Sequence, residues 1–497
     1  MSLHPGHLAP VELDEPDELD DAPLPPSVLP AWLKRHALSV AGAAAVLALA
    51  LVGAQSAIDV GERERLAYLA DVPGVLSPLH DPPGELWRWV PAAGSLVAGD
   101  TEGRWAIGAR YHSGGVDLRG TDPDTGRVLW SVPFSLDAAL PPGGRSEFPS
   151  VWVRCTALSP TDEPRAVCAA EVSPVAVVGA PTPLLVLDPT RGAVLATPTV
   201  EPGSLWSVTG AHLLVATPVT DDGGGVRWTV TATDPTTGDV AWRRSTPVVP
   251  AVHEVRIGAD IIRSDAELTS DDGRVLLTDS GHAWLFGADG TPRGDVTVAT
   301  DGWAELARAG TLVWSPWQAF AVPAGVLVTR DGTRVAVREM PARLAVDDGT
   351  ANDVVLLSDG TDGRRGRGGT TLVARDSTTG DELWRTEGTS GDPLLVDGTV
   401  YVAHGDEVLA QDAATGEVRW RSSIGSPPVY LGTDGTLVIV VTANQTLRGL
   451  DLSDGRPARA ADVARLLSRD PGGVDQVSEY AGRLLIRFLD GSGIVVG

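Results

Sequence analysis

A few short stretches of this sequence have residue types that could perform chemistry. Asp122-Pro123-Asp124-Thr125-Gly126 begins like a calcium-binding loop, but a third acidic or amide ligand and the distal glutamate of such loops do not follow. The triplet Gly491-Ser492-Gly493 does not have the spacing of a serine nucleophile elbow. Both stretches are typical of turns, and we predict neither catalytic residues nor metal or cofactor ligands in them.

The histidines do not suggest a metal site either. The chain has nine, and those of its main body are scattered without metal-ligand spacing: His112, His212, His253, His282 and His404. No glycine-rich phosphate loop followed by a helix is present in the sequence. We therefore expect these histidines to be ordinary strand or loop residues.

Cys155 and Cys168 are the two cysteines of the chain. Without a nearby histidine, the pair is a poor metal site. If this part of the protein lies outside the cell, the pair is expected to form a disulfide between neighbouring strands; the alternative is two buried free thiols.

The strongest pattern is structural and repeats along the chain. Its clearest copy has Asp412, Thr415, Gly416 and Trp420, so that threonine, glycine and tryptophan follow the aspartate by three, four and eight residues. The frame recurs in whole or in part, and its marker residues are Asp122, Gly126, Trp130; Asp188, Gly192; Asp234, Gly238, Trp242; Asp376, Gly380, Trp384; Asp412, Gly416, Trp420; Asp451, Gly455. Two copies, those of Asp188 and Asp451, are incomplete, with Ala196 and Arg459 at the tryptophan position.

The chemistry of this frame is that of a hairpin. An aspartate at a strand end accepts hydrogen bonds from nearby amides, and glycine adopts the positive φ that closes the turn. Short apolar or alternating runs flank each copy, as strands do. The tryptophan of the outgoing strand is expected to cover the seam to the neighbouring unit. Four short strands per period of about 40–50 residues predict an all-β fold, a β-propeller of four-stranded blades, with eight blades expected and seven as the alternative.

The two ends of the body complement each other. The chain stops at the strand Ile494–Gly497 with no hairpin after it, while Gly84–Trp87 matches the second half of a hairpin whose first half is missing. We expect these segments to pair and complete one blade, which removes two free sheet edges.

The first 83 residues have a different character. Residues 1–36 are acidic and proline-rich and are expected to be a disordered cytoplasmic tail. Residues 37–58 are expected to form one N-terminal transmembrane helix, because the 21 residues from Leu38 to Ile58 carry no charge. A cleaved signal peptide is the alternative. Residues 59–83 are expected to be a stalk or linker, and residues 84–497 the propeller.

The distribution of charge predicts how the chain is oriented in the membrane and which partners it can bind. Lys34 and Arg35 precede the apolar run, so the positive-inside rule places the tail in the cytoplasm and the propeller outside the cytoplasmic membrane. A formal charge of −26 argues against nucleic acid as a partner. Arg364, Arg365 and Arg367 lie in a glycine-rich loop that is either a solvated insertion or a contact for an acidic partner.

The frame Ala-x-Asp-x-x-Thr-Gly-x-x-x-Trp is complete at Ala232–Trp242, Ala374–Trp384 and Ala410–Trp420. It resembles the tryptophan-docking repeat of the quinoprotein-like propellers, which include pyrroloquinoline quinone (PQQ) dehydrogenases and the BamB-like repeat proteins. The resemblance covers residues 84–497. The enzymes of that family hold PQQ and calcium in the central channel beside a disulfide of two adjacent cysteines. Here the cysteines are 13 residues apart, which departs from that pattern.

We therefore expect a non-catalytic scaffold that binds an envelope protein or a cell-wall ligand and is tethered to the cytoplasmic membrane through Leu38–Ile58. No cofactor is expected. Two alternatives stay open: an outward-facing PQQ-dependent dehydrogenase, and a ligand-binding sensor whose tail reports inside the cell. Because propellers of one family differ in activity, the repeat alone does not decide between them.

Overall fold

The computed structural model describes residues 37–90, 95–99, 105–112, 115–134, 150–158, 163–173, 181–250, 255–257, 260–262, 266–271, 273–279, 281–297, 302–316, 325–359, 370–462 and 473–497. The chain divides into two compact units, Met1–Arg65 and Leu66–Gly497. The expected disordered tail, residues 1–36, lies outside the described residues.

One α-helix, α1, runs from Ala37 to Ala70 and includes the segment expected to cross the membrane. Within the described part of the chain, no helix meets the combined length and hydropathy that a membrane span requires.

Among the described residues, everything else in regular structure is β-strand, as predicted. The first strand is β1 (Glu85–Trp89). Sheets 1 to 3 follow in chain order. Their strands are β2 (Ser95–Gly99), β3 (Ala106–His112), β4 (Gly115–Thr121) and β5 (Val128–Phe134) in sheet 1; β6 (Ser150–Leu158), β7 (Arg165–Ser173), β8 (Thr182–Asp188), β9 (Ala193–Ala196) and β10 (Thr199–Val200) in sheet 2; β11 (Leu205–Thr209), β12 (His212–Thr220), β13 (Gly225–Thr233), β14 (Val240–Ser245) and β15 (Val249–Pro250) in sheet 3.

A two-stranded hairpin and two four-stranded sheets come next. Their strands are β16 (Val255–Ile257) and β17 (Asp260–Ile262) in the hairpin; β18 (Glu267–Asp271), β19 (Arg274–Asp279), β20 (His282–Gly287) and β21 (Pro292–Thr297) in sheet 4; β22 (Gly302–Ala307), β23 (Thr311–Pro316), β24 (Gly325–Val328) and β25 (Arg334–Val337) in sheet 5.

The last three sheets complete the body, and β1 joins the final one. Their strands are β26 (Met340–Pro341), β27 (Val346–Asp347), β28 (Val354–Ser358), β29 (Thr370–Asp376), β30 (Glu382–Val396), β31 (Thr399–His404), β32 (Glu407–Asp412) and β33 (Val418–Ser423) in sheet 6; β34 (Pro428–Thr433), β35 (Leu437–Thr442), β36 (Thr446–Asp451) and β37 (Pro457–Asp462) in sheet 7; β38 (Val474–Tyr480), β39 (Arg483–Phe488), β40 (Gly493–Val496) and β1 in sheet 8.

Sheet 6 contains two successive antiparallel meanders, because the first half of β30 pairs with β29 and its second half with β31. Counted as sheets of four or more strands, the described residues form eight; counted as four-stranded meanders, they form nine. The sheets are consistent with a β-propeller, and the number of blades stays a prediction.

The hydrophobic core lies between neighbouring sheets. One buried cluster joins sheets 1 and 2, another sheets 2 and 3, and the series continues until a cluster with Ala106, Tyr480 and Val495 joins sheet 8 to sheet 1. Middle strands are therefore buried on both faces, and β35 is buried at every position. Outer strands alternate; β33 buries Trp420 and Ser422 and exposes the residues between and after them.

The repeated frame forms the turn that its composition predicts. The Asp412 carboxylate accepts hydrogen bonds from the amides of Ala414 (3.1 Å) and Thr415 (2.9 Å). The Gly416 amide donates to the Asp412 carbonyl at 2.8 Å, with Gly416 at φ +71°. Asp122, Asp234 and Asp376 accept the same pair of amide hydrogen bonds.

Each indole of the frame docks on the turn of the following unit. The Trp384 Nε1 donates to the Ala413 carbonyl at 2.8 Å, and its ring covers Gly416 so closely that a Cβ there would lie 2.6 Å from it. Equivalent hydrogen bonds, 2.7 to 3.0 Å long, join Trp87 to Pro123, Trp130 to Pro189, Trp242 to Ala288 and Trp420 to Leu452. The indoles therefore connect neighbouring blades, by packing and by a hydrogen bond.

Two of the turns receive no indole. Val335 covers Gly380, while Gly238 has no atom within 4 Å of the position its Cβ would occupy. The second case follows from the sequence, because the preceding unit has Ala196 where the frame has tryptophan. At this seam Arg165 reaches the turn instead and donates to the Thr236 hydroxyl at 3.3 Å.

The ring is closed by its two ends, as predicted. Strand β1 pairs antiparallel with β40, and the backbones of Gly84 and Gly497 exchange hydrogen bonds of 3.1 and 3.2 Å. Sheet 8 then contacts sheet 1 through the Tyr480 hydroxyl, which donates to the Ile107 carbonyl, and through Arg483, which binds Asp124 at 2.7 Å. The pairing gives the last strand, β40, a partner on both sides, β39 and β1.

Residues 66–79 pack into this second unit, and we call them the N-terminal strap. They belong to the segment 59–83, for which the sequence predicted a stalk. Leu69, Leu76 and Leu79 are buried, and the Leu76 amide donates to the Thr433 carbonyl at 2.8 Å. The Ser77 amide donates to the Gly482 carbonyl at 2.7 Å. The strap thus binds sheets 7 and 8 together from one end.

The predicted disulfide is confirmed. Cys155 and Cys168 are paired residues of β6 and β7, and their sulfurs are bonded. Both are buried in the cluster between sheets 1 and 2.

Substitution of two turn glycines separates the contribution of the indole from that of the backbone. Gly416→Ala and Gly238→Ala each place an L-residue at positive φ, which costs about 1–2 kcal/mol. Only Gly416→Ala also drives a methyl group into an indole, so we expect it to lose about 1–3 kcal/mol more, the usual effect of overpacking.

Urea unfolding followed by circular dichroism measures both changes, with Gly238→Ala as the matched control. Equal losses of unfolding free energy in the two variants would contradict the docking role of Trp384.

Candidate functional site

A cavity of about 370 Å³ lies where strands β30, β34 and β38 meet. Strand β30 contacts β34, and β34 contacts β38. The walls are Ser390–Asp392, Pro428–Leu431 and Gln476–Glu479, with Arg343–Ala345 and Gly74 of the strap completing them.

Irregular pairing shapes this cavity. The register shifts between Ser390 and Leu394 in β30, between Pro428 and Tyr430 in β34, and between Val474 and Gln476 in β38. A bulge bends its strand, redirects a side chain and leaves backbone groups unpaired. Proline and positive-φ glycine favour such breaks, and the wall contains Pro428 and Gly391, the latter at φ +70°. Three neighbouring bulges therefore open a space that regular strands would fill.

Two carboxylates and one guanidinium line the cavity. Arg343 Nε lies 3.7 Å from an Asp392 oxygen, and the side chains are 89% and 50% exposed, so this ion pair is loose. Partial burial raises the pKa of Asp392, and Arg343 opposes the rise. Glu479 accepts a hydrogen bond from the Gly482 amide at 2.6 Å.

Tyr430 places a phenol in the wall. Its hydroxyl lies along the strand over Gly432, where a Cβ would be 2.5 Å from the oxygen. Burial raises the pKa of Tyr430 well above its ordinary range, and the negative charge of Glu479 raises it further. Among the described residues, the Tyr430 hydroxyl has no hydrogen-bond partner, in contrast to the hydroxyls of Tyr401 and Tyr480, which donate to carbonyls at 3.1 Å.

The chemistry of these walls is recognition. Carboxylates, a phenol and amide oxygens accept hydrogen bonds from a polar or cationic group. The described residues that line the cavity include neither histidine nor cysteine. The walls therefore offer several hydrogen-bond acceptors to a ligand.

A second group of polar residues lies on strands that each come first, in chain order, in their own sheet. The Arg154 guanidinium of β6 stacks over the Trp206 ring at 4.3 Å from its centroid. Glu267 of β18 has a raised pKa, because it is partly buried and because Glu305 lies near it, while Arg154 opposes the rise. Charged residues thus occur on β6, β18 and β22 as well as on the strands that line the cavity.

The residues singled out in the sequence lie elsewhere. The frame aspartates, glycines and tryptophans form turns and blade contacts, and the cysteines form a buried disulfide. Asp122 caps its own turn and Ser492 occupies a hairpin turn. Arg364, Arg365 and Arg367 lie outside the described residues. The cavity residues Arg343, Asp392, Tyr430 and Glu479 were missed, because none belongs to a motif.

Residues 368–463 match the family model of the outer membrane protein assembly factor BamB. This stretch is therefore similar to a BamB-like repeat domain, which supports a PQQ-like propeller. No curated protein matches the sequence.

Several solved structures are similar in fold. BamB from Moraxella catarrhalis is 15% identical, the match covers 83% of this chain and 99% of that chain, and the TM-score is 0.39. Sqt1 from Saccharomyces cerevisiae is 12% identical, with 66% and 92% covered and a TM-score of 0.34. The apo form of AztD from Citrobacter koseri is 14% identical, with 61% and 85% covered and a TM-score of 0.30.

The residues present do not fit PQQ. The cysteines that would flank the cofactor are instead bonded across β6 and β7 and buried between two sheets. The frame indoles are docked on neighbouring turns, and the described residues contain no acidic or histidine group arranged to hold a metal ion.

Two tyrosine substitutions distinguish a wall residue from a structural one. Tyr430→Phe removes a hydroxyl that has no partner among the described residues, so we expect the unfolding free energy to change by less than about 0.5 kcal/mol. Tyr480→Phe leaves the buried Ile107 carbonyl without its donor and is expected to cost about 1–2 kcal/mol.

Urea unfolding of the two variants beside the parent protein tests this expectation. A loss in Tyr430→Phe as large as that in Tyr480→Phe would show that the Tyr430 hydroxyl stabilises the fold.

Proposed function

We propose that this chain is a non-catalytic binding scaffold whose propeller docks a protein or another envelope ligand. The main support is the position of the cavity: Ser390–Asp392, Ala403 and Pro428–Leu431 all lie within residues 368–463, the stretch that matches the BamB model. BamB is by its description an outer membrane protein assembly factor. The acceptor-rich walls of the cavity suit such recognition.

In this proposal the propeller works outside the cytoplasmic membrane, and the segment Leu38–Ile58 attaches it there with the N-terminus inside. The support for the tether is the uncharged run of the sequence and the basic residues that precede it. The dehydrogenase alternative receives no support from the residues around the disulfide, which do not fit PQQ.

Photo-crosslinking in the cells that make the protein tests the scaffold. A photoreactive amino acid at Val429, which is 47% exposed and belongs to the cavity wall, is expected to capture a partner protein. The matched control is Val219 of sheet 3, which is 51% exposed and lies outside the cavity. The same adducts from both positions, or none from Val429 together with PQQ-dependent dye reduction by the purified protein, would argue against the scaffold.

The tether is tested by fractionation. We expect the full-length chain to stay in the membrane pellet after extraction with alkaline carbonate, because a spanning apolar segment resists release. Protease added to intact spheroplasts should digest the propeller. Release into the alkaline supernatant, or protection from the protease, would contradict the proposed location.

A further inference from the structure

We propose that the cavity between β30, β34 and β38 receives an arginine side chain presented by an extended segment of the partner protein. This inference rests on the proposed scaffold function and specifies which chemistry the scaffold recognises.

The two carboxylates of the cavity stand on either side of its central strand. Asp392 belongs to β30 and Glu479 to β38, and β34 lies between these strands and contacts both. A planar guanidinium has five N–H donors in a fixed fork, so it can bond acceptors on more than one side. A compact ammonium group satisfies such a spread of acceptors less well.

The chain itself places a guanidinium beside Asp392. Arg343 Nε lies 3.7 Å from its carboxylate, yet the Arg343 side chain is 89% exposed. An exposed ion pair at that distance contributes little stability. A partner arginine that enters the cavity can therefore replace Arg343 at Asp392 with little loss.

Tyr430 adds a further acceptor on the central strand. Tyr430 lines the cavity, and its hydroxyl has no hydrogen-bond partner among the described residues. A phenol oxygen accepts a hydrogen bond from a guanidinium N–H, and a partly buried group gains more from that bond than an exposed one. The incoming side chain would give this hydroxyl the partner it lacks in the free protein.

Charge and backbone geometry favour a protein segment that is positively charged and extended. Residues 59–497, without the acidic tail, carry a formal charge of −21, so a basic segment is attracted over a distance. At the three register shifts beside the cavity, backbone groups depart from the regular pairing of the ladder. An extended segment can bond these groups while its arginine enters, and exposed Val429 offers the segment an apolar contact.

The probe is a capped, fluorescein-labelled heptapeptide, Ser-Gly-Ser-Arg-Ser-Gly-Ser, and the measurement is fluorescence anisotropy with the full-length protein at low ionic strength. Its control peptide has citrulline in place of arginine, which keeps the shape and removes the charge. We expect the arginine peptide to bind at least about tenfold more tightly. Binding should also weaken from pH 7 to pH 4, because the raised pKa of Asp392 makes it protonate earlier than an ordinary aspartate.

Four variants test the residues involved. Asp392→Asn and Glu479→Gln should each weaken the arginine peptide about fivefold or more and leave the citrulline peptide unchanged. Arg343→Ala should strengthen binding, because it removes a competitor and a like charge. Asp475→Asn is the matched control, an exposed carboxylate of β38 outside the cavity, and should change binding less than twofold.

Equal affinity for the two peptides, or an unchanged affinity in both Asp392→Asn and Glu479→Gln, would overturn the inference. Weaker binding in Arg343→Ala would also overturn it, because that result indicates an acidic ligand held by Arg343. A protein captured at Val429 that does not compete with the arginine peptide would refute the inference and leave the scaffold function standing.

Discussion

The contact on which this structure depends is the docking of one indole on the glycine of the next turn. A single side chain there closes a seam between two sheets and donates to a carbonyl in the turn, as Trp384 does to Ala413. The glycine is required twice, because its φ is positive and because a Cβ would overlap the ring. The frame therefore couples the local geometry of a turn to the packing of neighbouring sheets, and repetition of the frame extends that coupling along the ring.

Where the frame is incomplete, the seam is closed differently or left open. Val335 covers Gly380, which keeps an apolar contact but loses the indole hydrogen bond. At Gly238 the turn keeps its backbone geometry without any covering group, while Arg165 supplies polar contacts. Because the aspartate and glycine still form the turn at both places, the turn depends on its own sequence and the docking depends on the neighbour. This separation explains how a unit whose turn receives no indole still keeps its strands and its turn in the propeller.

The part of the fold that could be predicted from the sequence is the part determined by contacts near in sequence. The Asp412 turn, its strands and the Cys155–Cys168 disulfide follow from residues within about a dozen positions of each other. The pairing of β1 with β40 is the exception, and it could be predicted because each chain end carries one half of the local frame. The cavity has no such local signal. Three of its walls come from β30, β34 and β38, which are far apart in sequence, and each of these strands has a register shift that a periodic pattern does not show. The burial of Leu69 and Leu76 was missed for the same reason, since the groups that cover them lie far away in the sequence.

Regular blades and the cavity have opposite requirements. A blade is stable when its strands pair fully and its side chains fill the seams, which leaves no space for a ligand. A site needs unpaired groups and an opening, and β30, β34 and β38 provide both where their registers shift. Such irregular strands need support from elsewhere, and the N-terminal strap gives it directly: the Leu76 amide binds Thr433 at the end of β34, the Ser77 amide binds Gly482 beside β38, and Gly74 forms part of the cavity wall. The strap thus holds the irregular sheets in register at the place where the regular packing of the ring is interrupted.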